Sequence, residues 1–320
     1  MFVEFIGNDT AKEMLQIGVI SAKKKGDKLP NYLFSGHAGC GKTMLAKMVA
    51  KEANAHCEYI NASTINSPKE IASVLSKAIG CFNNDKRLNR IIIVCDEAHA
   101  FKKQCEDFLL TCISEDIVPI KENGQITNYP IRRENDSTNK FLSWIFISNR
   151  CGEIAQALRT RFIQVEFVRY SEDEKIAIAQ KYFGKKNINA PRKICKLFSD
   201  RAYNIRQLKQ YVDEFYDYMI SRDMKSAHSC DVDKYFGLVG IDKDGLGKID
   251  KEYIRILNES GNKASIQTIA SKLCLGVKDV QELIEPKLLE LGFIEISQYG
   301  RSLTQKAGEK SENPFAIKQS

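Results

Sequence analysis

Short apolar runs alternate with amphipathic stretches through the first half of the chain. Runs of strand length stand at 31–35, 57–60, 90–95, 143–148 and 164–168. The run Ile91-Ile-Ile-Val-Cys95 has no polar member, the pattern of a strand buried on both faces. Between the runs, apolar residues recur at helical spacing, as at Ile71, Val74, Leu75, Ala78 and Ile79. Five strands alternating with helices predict a parallel sheet covered on both faces.

From Ser171 the texture changes. Ser171-Glu-Asp-Glu174 offers a helix N-cap with acid in the first turn, and helical patterns run to about Lys225 without a strand among them. The polar, glycine-bearing stretch 240–247 reads as a linker. Helical patterns follow at 251–259, 266–273 and 277–291, then two short strands at 293–296 and 301–304 joined by Ser-Gln-Tyr-Gly, a hairpin-type turn. Three helices ending in a small hairpin outline a winged helix. The expected organisation is therefore an α/β domain at 1–170, an all-α domain at 171–244, a winged-helix domain at 245–310 and a disordered tail at 311–320.

Composition narrows this picture without redirecting it. A chain of 320 residues exceeds one ordinary domain. The longest apolar runs are far too short to span a bilayer, so no membrane association is expected. Glu4, Asn8, Asp9 and Lys12 interrupt any apolar core of a leader at the N-terminus. The ten cysteines are scattered with no C-x-x-C pair, which predicts reduced thiols in a cytoplasmic protein rather than disulfides or zinc. A net charge of +7 permits a polyanionic partner without demanding one.

The chemistry enters at residues 36–43, GHAGCGKT, directly after the apolar run ending the first predicted strand. This is the strand–loop–helix pattern that cradles nucleotide phosphates. Gly36, Gly39 and Gly41 let the backbone curl so that successive N–H groups converge on a phosphate. Lys42 is placed to reach the β- and γ-phosphates and Thr43 to ligate Mg²⁺. Cys40 inside the loop and Met44 just past it complete the segment expected to touch ATP. The following helix, with Leu45, Met48 and Val49 on one face, points its positive end at the same anion. A second motif closes the 90–95 strand: Asp96 can help hold Mg²⁺, and Glu97 beside it can orient and polarise the attacking water. His99, two residues on, reads as a helix-start or supporting residue rather than a catalyst.

Three further segments resemble the AAA+ class of nucleotide motors. Phe146-Ile-Ser-Asn-Arg150 ends a strand where that class places a residue sensing the γ-phosphate, which implies Asn149, with Ser148 as the alternative. Leu158-Arg-Thr-Arg-Phe162 is similar to the segment bearing the arginine finger that reaches a neighbouring subunit's nucleotide; Arg161 fits best and Arg159 next. Asn204-Ile-Arg206 resembles the lid segment whose arginine contacts the γ-phosphate of its own subunit, with Arg201 read as surface charge.

Over nearly its whole length the chain resembles the RuvB family of bacterial Holliday-junction branch-migration motors. Phe5-Ile6-Gly7 is similar to the family's adenine-pocket segment, with Asn8 where Gln is usual, and Tyr170 falls where an aromatic packs near the nucleotide. Asp96-Glu-Ala-His99 and Leu158-Arg-Thr-Arg-Phe162 are similar to D-E-I-H and L-R-D-R-F. Gly245-Leu246 with Asp250, Ile284-Glu-Pro-Lys-Leu288, Leu291-Gly-Phe293 and Tyr299-Gly-Arg301 resemble the family's winged-helix signatures. The resemblance implies an AAA+ P-loop domain, a helical lid and a winged helix. It also implies ATP and Mg²⁺ as ligands, self-assembly into a ring (a hexamer), and duplex or four-way junction DNA as substrate. Arg301, at the wing tip, is the implied phosphate contact. The family's G-A-T-T-R has become Ile147-Ser-Asn-Arg150. Its apolar hairpin for docking a RuvA-like loader corresponds to the polar stretch 123–139, and Arg132, Arg133 and Lys140 there are further candidates for DNA. A clamp-loader-like switch is the competing expectation, although such loaders end in a helical collar.

Overall fold

The computed structural model describes residues 1–84, 88, 90–115, 117–122, 125–130 and 142–307, with side chains for all of these except 82–84 and 119–130. The expected tail at 311–320 and Arg132, Arg133 and Lys140 lie outside the described residues. The chain divides into two units, Met1–Ser171 and Glu172–Ser320.

In the first unit α1 (Asp9–Lys25) precedes β1 (Tyr32–Gly36), then come α2 (Lys42–Glu52), β2 (Ala55–Asn61), α3 (Pro68–Asn84), β3 (Arg90–Asp96) and α4 (Lys103–Glu115). A hairpin, β4 (Ile117–Glu122) and β5 (Gln125–Pro130), leads to β6 (Leu142–Ser148), the short α5 (Gln156–Arg159) and β7 (Ile163–Phe167). The five expected strands form one parallel sheet in the order β2-β3-β6-β1-β7. Alternation along β3 divides its side chains between two cores. Ile91, Ile93 and Cys95 pack with Trp144 and Phe146 beneath α3 and α4. Ile92 and Val94 pack with Phe34, Ile145 and Ile147 beneath α1 and α2. Because every strand of this sheet runs the same way, Gly36, Asp96, Ser148 and Phe167 all finish at one edge, where open α/β sheets hold ligands.

At the opposite end of β3, Arg90 is buried. It donates from Nη2 to the Ala22 carbonyl at 2.8 Å and from Nε to Asp27 at 2.9 Å, closing the C-terminal end of α1. The β4–β5 hairpin is an element the apolar pattern does not predict. Its strands pair antiparallel, apart from the main sheet, with Glu122 opposite Gln125, and a polar strand leaves no hydrophobic alternation to read.

The second unit begins with α6 (Glu172–Lys185), α7 (Arg192–Arg201), α8 (Ile205–Ile220) and α9 (Ser229–Val239). These helices enclose an aromatic core in which the rings of Phe183, Phe198, Phe215, Tyr235 and Phe236 meet edge-on or tilted, with Phe198 and Tyr235 stacked. Arg201 is not the surface charge expected from sequence. It is buried, with Nη2 on Asp233 at 2.9 Å and its guanidinium 4.6 Å above the Phe236 ring.

The stretch 240–247 is likewise no open linker. Asp242 accepts from the backbone N–H groups of Asp244 and Leu246, and Leu246 is buried in the winged-helix core. Gly245 has φ +80°, and a Cβ there would stand 2.4 Å from the Arg201 carbonyl oxygen. Glycine is required because the backbone turns left-handed while pressed against α7.

The winged helix contains α10 (Lys248–Glu259), β8 (Lys263–Ala264), α11 (Ile266–Leu273), α12 (Val277–Asp279), α13 (Glu285–Glu290), β9 (Ile294–Ser297) and β10 (Gly300–Leu303). The continuous helix expected over 277–291 is interrupted by a π-turn at Val280–Ile284. Pro286 follows at the start of α13; lacking an N–H, it cannot continue the α ladder, and the wider turn absorbs the break. The wing is a three-stranded sheet in the order β8-β10-β9, with Ser297 opposite Gly300, so its turn is the two residues Gln298 and Tyr299.

Candidate functional site

The phosphate loop takes its shape from glycine and from what presses on it. Gly36 has φ +139°, and a Cβ there would meet the Phe167 carbonyl oxygen at 2.4 Å. Gly41 has φ +90°, and its Cβ would meet the Phe5 ring at 2.7 Å and the Tyr170 hydroxyl at 2.7 Å. Tyr170 also donates to the Cys40 carbonyl at 3.0 Å. Phe5 and Tyr170, expected near the nucleotide, thus sit directly on the loop. Ile6 beside them is half-buried. Asn8, the departure from the usual Gln, has φ 50° and accepts the Val168 N–H at 2.7 Å. A short amide suits that left-handed position and ties the N-terminal segment to the end of β7.

Lys42 is buried, and its ammonium donates to the Gly36 carbonyl at 2.8 Å and the His37 carbonyl at 2.6 Å. Its charge is thereby held within the loop. Burial pushes the Cys40 thiol up despite the lowering influence of Lys42, so Cys40 is a neutral packing group, donating to His37 at 2.9 Å. Gly39 has φ +80°, and Met44 is exposed at the first turn of α2.

Across the loop, Thr43 Oγ1 donates to Asp96 Oδ2 at 3.1 Å. Two hard oxygen donors at that separation match neighbouring corners of an octahedron with ~2.0–2.1 Å metal–oxygen bonds, so these residues fit Mg²⁺. Glu97 follows with half its side chain exposed and a left-handed φ of 52°, a conformation that costs a non-glycine residue on the order of 1–3 kcal/mol. Its Oε2 stands 3.4 Å from His99 Nε2.

His99 lies in the short turn Ala98–Ala100, at the helix-start position expected of it. The His99 side chain is only 4% exposed. Its Nδ1 lies 2.9 Å from Ser148 Oγ, its Nε2 lies 2.6 Å from Arg150 Nη2, and Glu97 Oε2 stands 3.4 Å from the same Nε2. Ser148, buried at the end of β6, also accepts the Arg150 backbone N–H at 2.9 Å. Asn149 is exposed in the bend that follows. A histidine two residues after the glutamate was the available signal, but only the fold brings it to Ser148.

Arg161 is exposed, donating from Nη1 to the Ala157 carbonyl at 2.9 Å and from Nε to Ser114 at 3.3 Å. Arg159 is half-buried. In the second unit, Asn204 caps α8 by accepting the Gln207 N–H at 2.8 Å, and Arg206 is exposed in the first turn.

At the wing, one expectation is overturned. Arg301 does not point outward: Nε donates to Glu285 Oε1 at 2.7 Å and Nη2 to Glu285 Oε2 at 3.1 Å, while Tyr253 donates to Glu285 at 2.9 Å. A carboxylate that is 3% exposed needs a partner, and Arg301 supplies it. Two residues on, Lys287 pairs with buried Asp250 at 2.5 Å. The exposed group at the tip is Tyr299, with the Lys263 ammonium 4.8 Å above its ring.

A parallel α/β sheet with a phosphate loop, an acidic pair at the next strand end and a winged helix in the same chain defines a P-loop nucleotide-binding protein with a DNA-binding type of module. Residues 1–167 match the family described as the Holliday junction DNA helicase RuvB P-loop domain, and residues 243–310 match the RuvB C-terminal winged helix domain. The chain belongs to the RuvB family. It is 27% identical to the Holliday junction branch migration complex subunit RuvB of Anaplasma phagocytophilum (strain HZ), over 97% of this chain and 91% of that protein. Identity to the same subunit of Pseudothermotoga lettingae is also 27%, covering 98% and 89%. Among solved structures, the RuvB Holliday junction branch migration motor of Thermotoga maritima superposes with a TM-score of 0.78 at 22% identity, covering 97% of this chain and 96% of that one.

Proposed function

We propose that this chain is an ATP-driven motor that acts on Holliday junctions or other duplex DNA as a subunit of a branch-migration complex. The observation that carries the reading is the Lys42–Thr43–Asp96–Glu97 arrangement at the C-terminal edge of the sheet, with Thr43 and Asp96 already 3.1 Å apart. Family membership and the winged helix extend it from nucleotide to DNA. A clamp-loader-like switch is disfavoured because both the P-loop domain and the winged helix match the RuvB family.

ATP is held by the loop N–H groups at 36–43 and by Lys42, with Phe5, Ile6 and Tyr170 on the adenine side and Met44 alongside. Mg²⁺, held by Thr43 and Asp96, would neutralise charge on the phosphate oxygens. Glu97 takes the proton of the attacking water as its oxygen bonds the γ-phosphorus and the bond to ADP breaks. Asn149 faces the γ-phosphate, and Arg206 is assigned to it on resemblance. Arg161, on an exposed turn, is the finger offered to a neighbouring copy in a ring. At the wing, Tyr299 and Lys263 take the phosphate-backbone role that Arg301 is not free to fill. Among the described residues no helix is long and apolar enough to cross a membrane, and all ten cysteines are free, which supports a cytoplasmic site of action.

The test is ATP turnover with and without four-way junction DNA, followed by strand exchange on that junction. Junction-stimulated hydrolysis with exchange is expected. Hydrolysis without exchange under any RuvA-type loader removes the motor assignment and leaves an ATPase.

A further inference from the structure

One nitrogen of the His99 ring, Nε2, has two suitors. Arg150 Nη2 stands 2.6 Å from Nε2 and Glu97 Oε2 stands 3.4 Å from the same atom. A guanidinium can only donate, so while Arg150 holds this position Nε2 is an acceptor and the single ring proton sits on Nδ1. Nδ1–H then donates to Ser148 Oγ at 2.9 Å. In that arrangement Nε2 and the Glu97 carboxylate present lone pairs to each other, and the imidazole gives Glu97 no grip. If Arg150 swings away, the opposite tautomer is available. Nε2–H donates to Glu97 while Nδ1 accepts from the Ser148 hydroxyl, which rotates its hydrogen inward. The change moves one proton from Nδ1 to water and one from water to Nε2.

Both end states satisfy Ser148 and His99, and they differ in whether Glu97 is held. We propose that His99 is a positioning residue through which the end of β6 sets the orientation of Glu97, with Arg150 as the competing ligand that keeps the imidazole off the carboxylate. Arg150 is free to leave at little cost. It lies on the exposed turn after β6, and its other anchor is Glu153 at 3.3 Å, a pair with both side chains more than half exposed. Glu97 needs an external anchor because its side chain is half exposed and no burial fixes it. The inference deepens the ATPase reading above and rests on it.

The test compares steady-state ATP hydrolysis and binding of a fluorescent ATP analogue across the parent, His99→Ala, His99→Asn, His99→Gln, Arg150→Ala and the double variant His99→Ala/Arg150→Ala. Loss of one orienting contact on a catalytic base lowers turnover by roughly 10²-fold when reacting groups drift by about 1 Å. His99→Ala is expected to lose kcat on that scale with KM and analogue binding unchanged. Gln carries its amide to about the reach of Nε2 and restores part of kcat; Asn reaches only the Nδ1 position and does not. Arg150→Ala is expected at or above parental kcat, with no effect once residue 99 is alanine. The Asn and Gln variants, with melting temperatures alongside, separate the role from simple loss of folding. The proposal is overturned if His99→Ala turns over at the parental rate, if Asn and Gln behave alike, or if the His99 and Arg150 effects add independently. An inactive parent overturns the ATPase reading itself, and the relay with it.

Discussion

At the residue scale, three positions test separable parts of the proposed chemistry. Glu97→Gln keeps the shape of the base but cannot accept a proton. It is expected to lower kcat by about 10²–10⁴-fold while the chain still binds ATP, which a turnover assay beside a binding titration will show. Arg161→Ala tests the shared pocket. A finger supplied by a neighbour is worth on the order of 10³–10⁵ in rate, so hydrolysis should collapse with nucleotide affinity nearly kept. Parental turnover by that variant would mean each subunit works alone. Gly41→Ala is informative in a different way, since a Cβ there runs into Phe5 and Tyr170 together. One of the two rings must move, and weakened ATP binding is expected before any loss of the global fold. The phosphate-loop glycines were legible as a motif. Phe5 and Tyr170 were legible only through the family resemblance, and their contact with Gly41 was not, because they lie far from it in sequence and reach it only in the fold.

At the element scale, the winged helix shows most clearly what sequence reading can and cannot supply. Its helices and hairpin were readable from apolar spacing, to within a residue or two at the strands. The fate of Arg301 was not. An arginine beside a tight turn reads as solvent-facing, and only the placement of Glu285 on a neighbouring helix turns it inward. Removing one member of a buried ion pair typically costs about 3–5 kcal/mol. Arg301→Ala and Lys287→Ala should therefore lower the thermal stability of the winged helix, seen by calorimetry of the full chain. Tyr299→Ala should weaken junction binding without moving that transition. If Arg301→Ala instead lost DNA affinity at unchanged stability, the inward role would be wrong. The β4–β5 hairpin, which resemblance alone placed at 123–139, was not readable from the apolar pattern for the opposite reason. Its pairing lies in the backbone, while its sequence between 121 and 130 lacks the apolar face that pattern reading depends on.

At the scale of the whole molecule, buried thiols and phenols give stability a direction with pH. Burial pushes Cys112 up to about 12, Cys195 to about 11 and Tyr32 to about 12. In the unfolded chain these groups release protons from about 9 for a thiol and 10 for a phenol. Their folded values are the higher ones, so their contribution is complete below pH 9 and is lost as pH rises toward 11 or 12. Each thiol should remove about 1.4 kcal/mol per pH unit across that window, and urea titrations at pH 8 and pH 10 will measure the slope. The five parallel strands, the helical cover and the winged helix were legible from alternating periods and turn residues; the strand order was not, because it is set by long-range pairing. The join between the helical region and the winged helix was misread, since glycines and acids look like a loose tether until Asp242 is seen folding the backbone and Gly245 is seen against Arg201. That join leaves no slack. A push on α7 is delivered to the wing as through a keyed shaft, with no play in which the stroke could be lost. Two glycines inserted after Asp244 would introduce that play, and the resulting protein should burn ATP at the parental rate while junction strands stay where they are.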